Sequence, residues 1–151
     1  MIKKIISGGQ TGADRGGLDA ALELGLEIGG FCPKGLRAED GRIPDRYPLV
    51  ELGTGDYRVR TKRNIEASDL TIIFHDGVIT PGSIYTGRTA KRLGRSFVII
   101  DLNHAPKTLA LRIRQALEFS DVQTLNVAGS RESRAPGIQE RVRKILVEAL
   151  R

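Results

Sequence analysis

The sequence has few of the residues that metal binding and aromatic stacking require. It contains one cysteine, Cys32, two histidines and no tryptophan, and aromatic residues make up 5% of the chain. A single cysteine cannot form an internal disulfide, and nothing in the sequence resembles a cluster of zinc ligands. Scarce aromatic side chains also argue against the stacking platforms that bind single strands. We therefore expect no structural metal, and the composition disfavours nucleic acid as a partner.

No segment has the character of a membrane anchor or a leader. The apolar start of the chain, residues 2–6, stops at Ser7. No stretch approaches the roughly 20 apolar residues that cross a bilayer, so we expect no contact with a membrane. The sequence predicts a cytoplasmic protein.

Glycine, aliphatic residues and positive charge are what the chain does contain. Its 151 residues include 18 glycines, hydrophobic residues make up 40%, and the net charge is +6. This length suits one domain over residues 1–151, and the composition suits an α/β protein with many tight turns. The charge favours an anionic partner such as a phosphate or another oxyanion. It is spread along the chain, and the densest cluster, Arg58 to Arg63, is interpreted as a solvated helix face.

Short β-branched runs alternate with longer helical patterns, an arrangement typical of parallel α/β sheets. Strands are predicted near residues 2–6, 28–32, 70–74, 97–100 and 122–127. Helices are predicted near residues 14–26, 57–67, 80–93, 105–119 and 136–150. The fold class is therefore α/β, with three layers: a mainly parallel sheet of about five strands and helices on both faces. Ligands of such sheets bind beyond the carboxyl ends of the strands.

A glycine-rich turn, Ser7-Gly8-Gly9-Gln10-Thr11-Gly12, follows the first predicted strand. Its glycines allow backbone N–H groups to approach a ligand, and the next helix directs its positive end to the same place. Thr11 adds a hydroxyl donor. Asp14 would compete with an anion there, and Arg15 would offset that charge. The alternative is a tight turn in which Thr11 caps the helix and Asp14 completes the cap; the anion-binding interpretation is preferred.

A second turn, residues 80–88, opens a helix after another predicted strand. Gly82, Ser83 and Thr86 could donate hydrogen bonds to a ligand. Thr80 and Pro81 could instead be only the N-cap and first residue of the helix. The sequence leaves both interpretations open.

A third turn, residues 126–134, precedes the last predicted helix. Arg131 and Arg134 lie before a helix N-terminus, where the helix dipole disfavours a cation unless an anion is present. This conflict favours an anion site, and the alternative is that both arginines face solvent. The long segment 33–49 adds Lys34 and Arg37 and could cover a ligand, although its composition slightly favours a solvated surface loop.

Several motifs together resemble one known family. They are residues 8–15, 32–35, 38–41 and 126–131, and Arg60-Thr61 with Asn64. These segments resemble the Putative molybdenum carrier family, in the circularly permuted branch of the SLOG superfamily of Rossmann-like nucleotide-binding proteins. The resemblance covers nearly the whole chain and keeps the order of the motifs. It implies a Rossmann-like fold, assembly into dimers or tetramers, and a site for molybdenum cofactor (molybdopterin), a pterin that carries a phosphate and a molybdenum-oxo centre.

The motifs and the resemblance together predict the binding residues. The resemblance implies that Gly9 through Gly12 hold phosphate and that Lys34, Arg131 and the second turn complete the pocket. The family usually has Gly-Gly-Ser or Gly-Gly-Thr in that second turn, where Pro81 here removes one backbone donor. The predicted set is Gly8, Gly9, Gln10, Thr11, Gly12, Arg15, Lys34, Gly35, Gly82, Ser83, Thr86, Asn126, Gly129, Ser130 and Arg131.

The preferred function is a non-catalytic carrier of molybdenum cofactor or a similar phosphate-bearing molecule, with molybdoenzymes as candidate partners. No nucleophile–histidine–carboxylate arrangement can be assembled from the sequence. The alternative is a nucleotide-binding protein, or an enzyme that releases the base from nucleoside monophosphates with Arg15 and Glu39 or Asp40. The Pro-Gly-Gly-x-Gly-Thr motif of such enzymes is absent as such. A nucleic-acid binder is permitted by the charge and opposed by the few aromatic residues.

Overall fold

Five of the nine strands form the central sheet in the computed structural model, which describes residues 1–151. In chain order the strands are β1 (Lys4–Ile6), β2 (Glu27–Gly29), β3 (Phe31–Cys32), β4 (Arg37–Ala38), β5 (Gly41–Arg42), β6 (Val50–Glu51), β7 (Leu70–His75), β8 (Phe97–Asp101) and β9 (Thr124–Gly129). The order in the central sheet is β2-β1-β9-β7-β8, and every neighbouring pair is parallel.

Helices cover both faces of this sheet, so the predicted three-layer α/β fold is confirmed. The helices are α1 (Ala13–Leu24), α2 (Tyr57–Glu66), α3 (Pro81–Arg92), α4 (Pro106–Phe119) and α5 (Ile138–Leu150). The connections through α1 and α4 run one way along the sheet, and those through α2 and α3 run the other way. Right-handed crossovers therefore place the two pairs on opposite faces. Helix α5 packs against α1 and α4. None of the five combines the length and apolar composition of a membrane-spanning helix.

The main core lies between the sheet and the layer of α1, α4 and α5. Helix α5 shows why the helical pattern in the sequence was informative. The apolar residues that the sequence pattern singled out recur at helical spacing and are buried against α1, α4 and the sheet: Ile138, Val142, Ile145, Leu146 and Ala149. Burying one continuous face is what holds such a helix in place.

The predicted second strand, residues 28–32, is in fact two strands in different sheets. Strand β2 pairs with β1, whereas β3 pairs with β6. Gly30 separates them with φ of +123°, and a Cβ at this position would lie 2.1 Å from the carbonyl oxygen of Ser7. Only glycine tolerates that conformation and that approach, so the chain turns out of the central sheet there.

The following segment, residues 33–49, is folded and anchored. It contains the β4–β5 hairpin, and its Ile43 and Tyr47 are fully buried in a second small core with Leu18 and Cys32. The hydroxyl of Tyr47 also donates a hydrogen bond to Asp19 (2.5 Å). The preference for a solvated surface loop holds for the exposed residues of this segment and fails for Ile43 and Tyr47, because its apolar residues follow no periodic pattern.

Candidate functional site

A cavity of about 560 Å³ opens at the carboxyl edge of the sheet, next to β1, β9 and β7. Its walls are the carboxyl end of β9, the turns after β1 and β7, one face of α2, and part of the segment after β3. From β1 the chain crosses to one side of the sheet, and from β7 it crosses to the other. Ligands of open α/β sheets bind at such a reversal, and the volume is typical of small-molecule sites.

Four arginines and two carboxylates give the cavity its charge: Arg37, Arg60, Arg131, Arg134, Asp14 and Glu39. None of these arginine side chains donates a hydrogen bond within the protein, and the shortest ion-pair distance is 3.8 Å, from Arg131 to Glu39. Their guanidinium groups are therefore available to an anionic ligand, for which planar, multidentate donors are well suited.

Gly8 brings a free backbone donor to the same cavity. It lines the cavity, and its N–H has no hydrogen-bond partner in the protein. The side chain of Arg60 crosses over it, so that a Cβ at Gly8 would lie 2.7 Å from Arg60 Cδ. A larger residue would push Arg60 away. The glycine therefore places an unpaired N–H beside an unpaired guanidinium, a donor set that suits a phosphate oxygen.

The amides from Gly9 to Gly12 are satisfied within the turn, by Asp14 in the first turn of α1, or by Gln139 of α5. The bonds run from Gly9 N to Ser7 Oγ (3.2 Å), from Gln10 N to Asp14 Oδ2 (3.2 Å), from Thr11 N to Gln10 Oε1 (3.0 Å) and from Gly12 N to Gln139 Oε1 (3.4 Å). Gly8 and Gln10 line the cavity, whereas Gly9, Thr11 and Gly12 do not. The turn thus forms a rigid support and offers a ligand mainly Gly8.

Thr11 joins loops rather than capping α1, so the capping alternative was wrong. Gly12 is the N-cap residue and no side chain caps the helix. The Thr11 hydroxyl donates to Glu39 Oε1 (2.5 Å) and accepts from the N–H of Glu132 (3.2 Å). Glu39 also accepts from the N–H (3.0 Å) and the hydroxyl (2.6 Å) of Ser133. Burial alone would raise the pKa of the Glu39 carboxyl, but these hydrogen bonds hold it below its usual value.

Arg15 faces away from the cavity and clamps the segment after β3 onto the turn. Its guanidinium donates to both oxygens of Asp40 (2.7 and 2.8 Å), and its Nε donates to the carbonyl of Gly9 (3.0 Å). The side chain is 5% exposed. Hydrogen bonding from Arg15 holds the pKa of Asp40 below its usual value. Arg15 and Asp40 therefore form a structural ion pair, and neither residue lines the cavity.

The second turn caps α3, as one of the two interpretations predicted, and it also lines the cavity. Thr80 Oγ1 accepts from the N–H of Ser83 (3.3 Å), and Pro81 is the first residue of α3. Gly82 and Thr86 line the cavity, and the N–H of Gly82 has no partner. Ser83 is buried and does not line it. The start of α3 therefore combines a helix cap with a free donor.

The third turn contributes Asn126, Gly129 and Arg131 to the cavity, whereas Ser130 is buried and donates its N–H to Phe74. Helix α5 begins only at Ile138. Its dipole acts over the first turn alone, so the predicted conflict between that dipole and Arg131 does not arise. Arg131 lines the cavity, so it remains a candidate binding residue on that ground alone.

Lys34 and Gly35 are exposed and lie outside the cavity. Their N–H groups donate to Thr54 O and Glu51 Oε2. Cys32 is buried in the second core, and His75 accepts from the N–H of Gly77 (3.0 Å). No group of three or more His, Cys, Asp or Glu side chains is placed to hold a metal ion.

Helix α2 supplies the cavity residues that the predicted set missed: Tyr57, Arg60, Thr61 and Asn64. Residues 58–63 were interpreted as a solvated face because of their charge. The available signal was the family resemblance, whose motifs include Arg60-Thr61 and Asn64. In the structure Thr61 and Asn64 are buried, and the Asn64 amide is bonded to the backbone of Phe31 at 2.8 and 3.0 Å. Arg37, which the sequence placed in a segment that could cover a ligand but which is not in the predicted set, lines the cavity from the β4–β5 hairpin.

Asp14 lies in the wall of the cavity beside these arginines. It is 8% exposed, and its Oδ2 accepts the N–H of Gln10. Burial raises the pKa of Asp14 to about 6, although the positive charges of Arg60, Arg15 and Arg131 lower it. The cavity therefore contains an acidic group that titrates close to neutral pH.

Comparison with known proteins gives one family and one solved structure. Residues 5–150 match the model of the circularly permuted YpsA SLOG family. The crystal structure of "Putative molybdenum carrier protein" from Syntrophus aciditrophicus SB, at 1.45 Å resolution, superimposes with a TM-score of 0.96. It is 39% identical to this chain, and the match covers 99% of this chain and 96% of that one. No curated protein gives a match.

Proposed function

Because the chain belongs to the circularly permuted YpsA SLOG family, we propose that it binds a phosphate-bearing small molecule at the carboxyl edge of its sheet. The preferred ligand is molybdenum cofactor, and the preferred role is that of a carrier. The full-length neighbour from Syntrophus aciditrophicus, which bears the name of a molybdenum carrier, supports this choice.

One observation supports phosphate binding most directly, namely the free donors around Gly8. Its N–H has no partner, Arg60 crosses over it, and Arg131 lines the same cavity without donating a hydrogen bond in the protein. A phosphate in this proposal lies between the Gly8 N–H and these two guanidinium groups. Charged donors of this kind hold oxyanions more strongly than neutral ones.

The wall of the cavity also suits a planar ring. Tyr57 lines it, is 52% exposed, and is held edge-to-face by Tyr85 with ring centroids 6.1 Å apart. Arg60 follows one helical turn later. In the proposed orientation the phosphate lies beside Gly8 and Arg60, and the pterin lies against Tyr57. The pterin would carry the molybdenum-oxo centre as cargo.

A nucleotide is the second candidate, because the same observation about Tyr57 applies to a nucleobase. The enzymatic form of this alternative has less support. Two of the residues suggested for base release, Arg15 and Asp40, are paired with each other outside the cavity, and Glu39 is hydrogen-bonded to Thr11 and Ser133. Assaying a panel of nucleoside monophosphates for release of free base distinguishes the two forms.

Native mass spectrometry of freshly purified protein, followed by calorimetric titration, tests the proposal. We expect a phosphate-bearing molecule to copurify and molybdenum cofactor to bind more tightly than nucleoside monophosphates. Tighter binding of a nucleotide would replace the first candidate by the second. Absence of binding to the cofactor and to every nucleotide would contradict the proposal.

Matched substitutions on α2 locate the ligand. Arg60→Ala is expected to weaken binding by about 10- to 100-fold, the effect of losing charged hydrogen bonds. Lys62→Ala removes the same charge from an exposed position on the same helix and outside the cavity. If both variants bind equally well, the phosphate does not lie beside Gly8.

We also propose a cytoplasmic homo-oligomer, a dimer or a tetramer, with molybdoenzymes as candidate recipients of the ligand. Exposed apolar side chains on the edge strand β8 and on α4 support self-association: Ile99 is 38% exposed, Leu111 50% and Phe119 92%. Surfaces of this kind are typical of interfaces. Size-exclusion chromatography with light scattering tests it, and a monomeric mass at micromolar concentration would contradict it.

A further inference from the structure

The two carboxylates of the cavity differ in how their oxygens are used. Both oxygens of Glu39 accept hydrogen bonds, from Thr11 and Ser133. Asp14 uses only Oδ2, which accepts from Gln10, and its Oδ1 has no partner. The only fully buried side-chain polar atom without a partner is Ser130 Oγ, so Asp14 Oδ1 is reachable from the cavity that Asp14 lines. Of the two carboxylates, Asp14 thus presents one free oxygen to a ligand.

The charges around Asp14 come from three elements. Arg15 lies on its own helix α1, Arg60 faces it from α2, and Arg131 faces it from the turn after β9. None of the three forms an ion pair with it, and Arg15 is paired with Asp40 instead. The negative charge of Asp14 is therefore not neutralised by a contacting cation, and it acts on whatever anion enters the cavity.

A cavity with arginines alone would bind any oxyanion, and bare inorganic phosphate would compete with an organic ligand for it. A carboxylate in the wall changes this balance, because it repels a small dianion at close range. A ligand that carries a hydrogen-bond donor beside its phosphate offsets this repulsion, because it donates a hydrogen bond to the carboxylate. Buried polar groups discriminate strongly between ligands in this way, since a ligand without the matching donor leaves them unpaired.

We propose that Asp14 is a specificity residue: its free Oδ1 accepts a hydrogen bond from a hydroxyl or N–H group of a phosphomonoester ligand, and its charge excludes inorganic phosphate and sulfate. This inference rests on the proposed phosphate-binding function. It narrows the ligand class to phosphomonoesters that have a donor near the phosphate, such as a sugar hydroxyl or a ring N–H.

Asp14→Asn tests the proposal, because asparagine keeps the shape and removes the charge. Sulfate, inorganic phosphate, adenosine monophosphate and ribose 5-phosphate are titrated at pH 7.5. The variant should bind sulfate and inorganic phosphate about 10-fold more tightly and the two phosphomonoesters about 5-fold more weakly. Asp121→Asn, at an exposed position beyond the opposite edge of the sheet, is the control and should change neither.

A merely structural role for Asp14 would shift the affinities for all four ligands in the same direction, and that result would overturn the proposal. So would an unchanged affinity for sulfate. If the wild-type protein binds neither phosphomonoesters nor anions, the proposed function fails first and the inference fails with it. Binding of phosphomonoesters with an unchanged ratio of affinities overturns the inference alone.

The wild-type protein offers a second measurement that does not depend on the variant folding. Sulfate stays fully ionised between pH 7.5 and pH 5.5, so any change in its affinity reports the protein. Burial raises the pKa of Asp14 to about 6. Sulfate binding should therefore strengthen several-fold as the pH falls through this range. A flat or opposite dependence would overturn the proposal.

Discussion

The first glycine turn and helix α2 both line the cavity and meet where Arg60 crosses Gly8, but they use their polar groups in opposite ways. The amides of Gly9 through Gly12 are bonded within the turn, to Asp14 or to Gln139, and Arg15 beside them is paired with Asp40. On α2, Arg60 donates to nothing in the protein, although it crosses the turn at Gly8. The more conspicuous motif in the sequence is thus mainly a support, and the plainer helix carries the free donors.

The largest difference in stability is expected between two glycine substitutions, one in the supporting glycine turn and one in the wall of the cavity. Gly12 has φ of +84°, and a Cβ there would lie 2.4 Å from the carbonyl oxygen of Ser130, whereas Gly82 has nothing within 4 Å. Gly12→Ala should therefore lower the free energy of unfolding by about 3 kcal/mol or more, and Gly82→Ala should change it by less than about 1 kcal/mol. Urea denaturation measures both. Equal stability of the two variants would contradict the distinction.

The arginines of the two walls should show opposite effects on stability and affinity. Arg15→Ala leaves the carbonyl of Gly9 unpaired and removes an ion pair in which Arg15 is buried and Asp40 is half exposed, so it should destabilise the fold by about 2 kcal/mol. Its effect on ligand affinity should be small, because Arg15 does not line the cavity. Arg60→Ala should show the reverse. Chemical denaturation and calorimetry on the same preparations compare the stability and the affinity of the two variants. A large loss of affinity in a folded Arg15→Ala protein would contradict the prediction.

A substitution at Tyr57 tests whether α2 also contacts an aromatic ring of the ligand. Tyr57→Ala should weaken binding of a nucleotide or pterin phosphate by about 5-fold, near the low end for stacking because the side chain is half exposed. Affinity for ribose 5-phosphate, which has no aromatic ring, should not change. Fluorescence or calorimetric titration of both ligands gives the answer, and equal losses would mean that Tyr57 acts on the phosphate end.

The smallest effect is expected at the contact between Glu39 and Thr11. The folded pKa of Glu39 lies below its unfolded value of about 4.3, so its contribution is present above that pH and is lost as the pH falls through the folded pKa. Because the residue is partly solvated, we expect only about 0.5 kcal/mol. Glu39→Gln should flatten the decline of stability between pH 5 and pH 3. An unchanged slope in urea titrations would show that the contact contributes nothing.

The sequence predicted the regular part of this structure because that part follows periodic rules. The spacing of apolar and β-branched residues was enough to predict the strands of the central sheet and the apolar face of α5. The break at Gly30 could not be predicted, since it depends on how closely Ser7 approaches from another strand. The buried positions of Ile43 and Tyr47 depend on Leu18 and Cys32, which are distant in the sequence.

The same reasoning explains which site residues could be predicted. Gly8, Asn126 and Arg131 follow strands of the sheet, and parallel topology brings them to one edge. Arg15 looked equally suitable, but its partner Asp40 lies in a segment whose fold is set by tertiary contacts. Arg60 was left out for the opposite reason: its charged neighbours suggested a solvated helix face, although the family motif Arg60-Thr61 with Asn64 already singled it out.

The position of β9 has a consequence for the order in which the protein can fold. Strands β1 and β7 are both hydrogen-bonded to β9 and not to each other. Until residues 124–129 have left the ribosome, the central sheet exists only as the separate pairs β1–β2 and β7–β8, and isolated two-stranded units are marginal in water. The wall of the cavity is therefore built last during synthesis, and pairing across so long a separation in sequence is slow. A nascent chain has nowhere to hold the ligand until nearly all of it has been made.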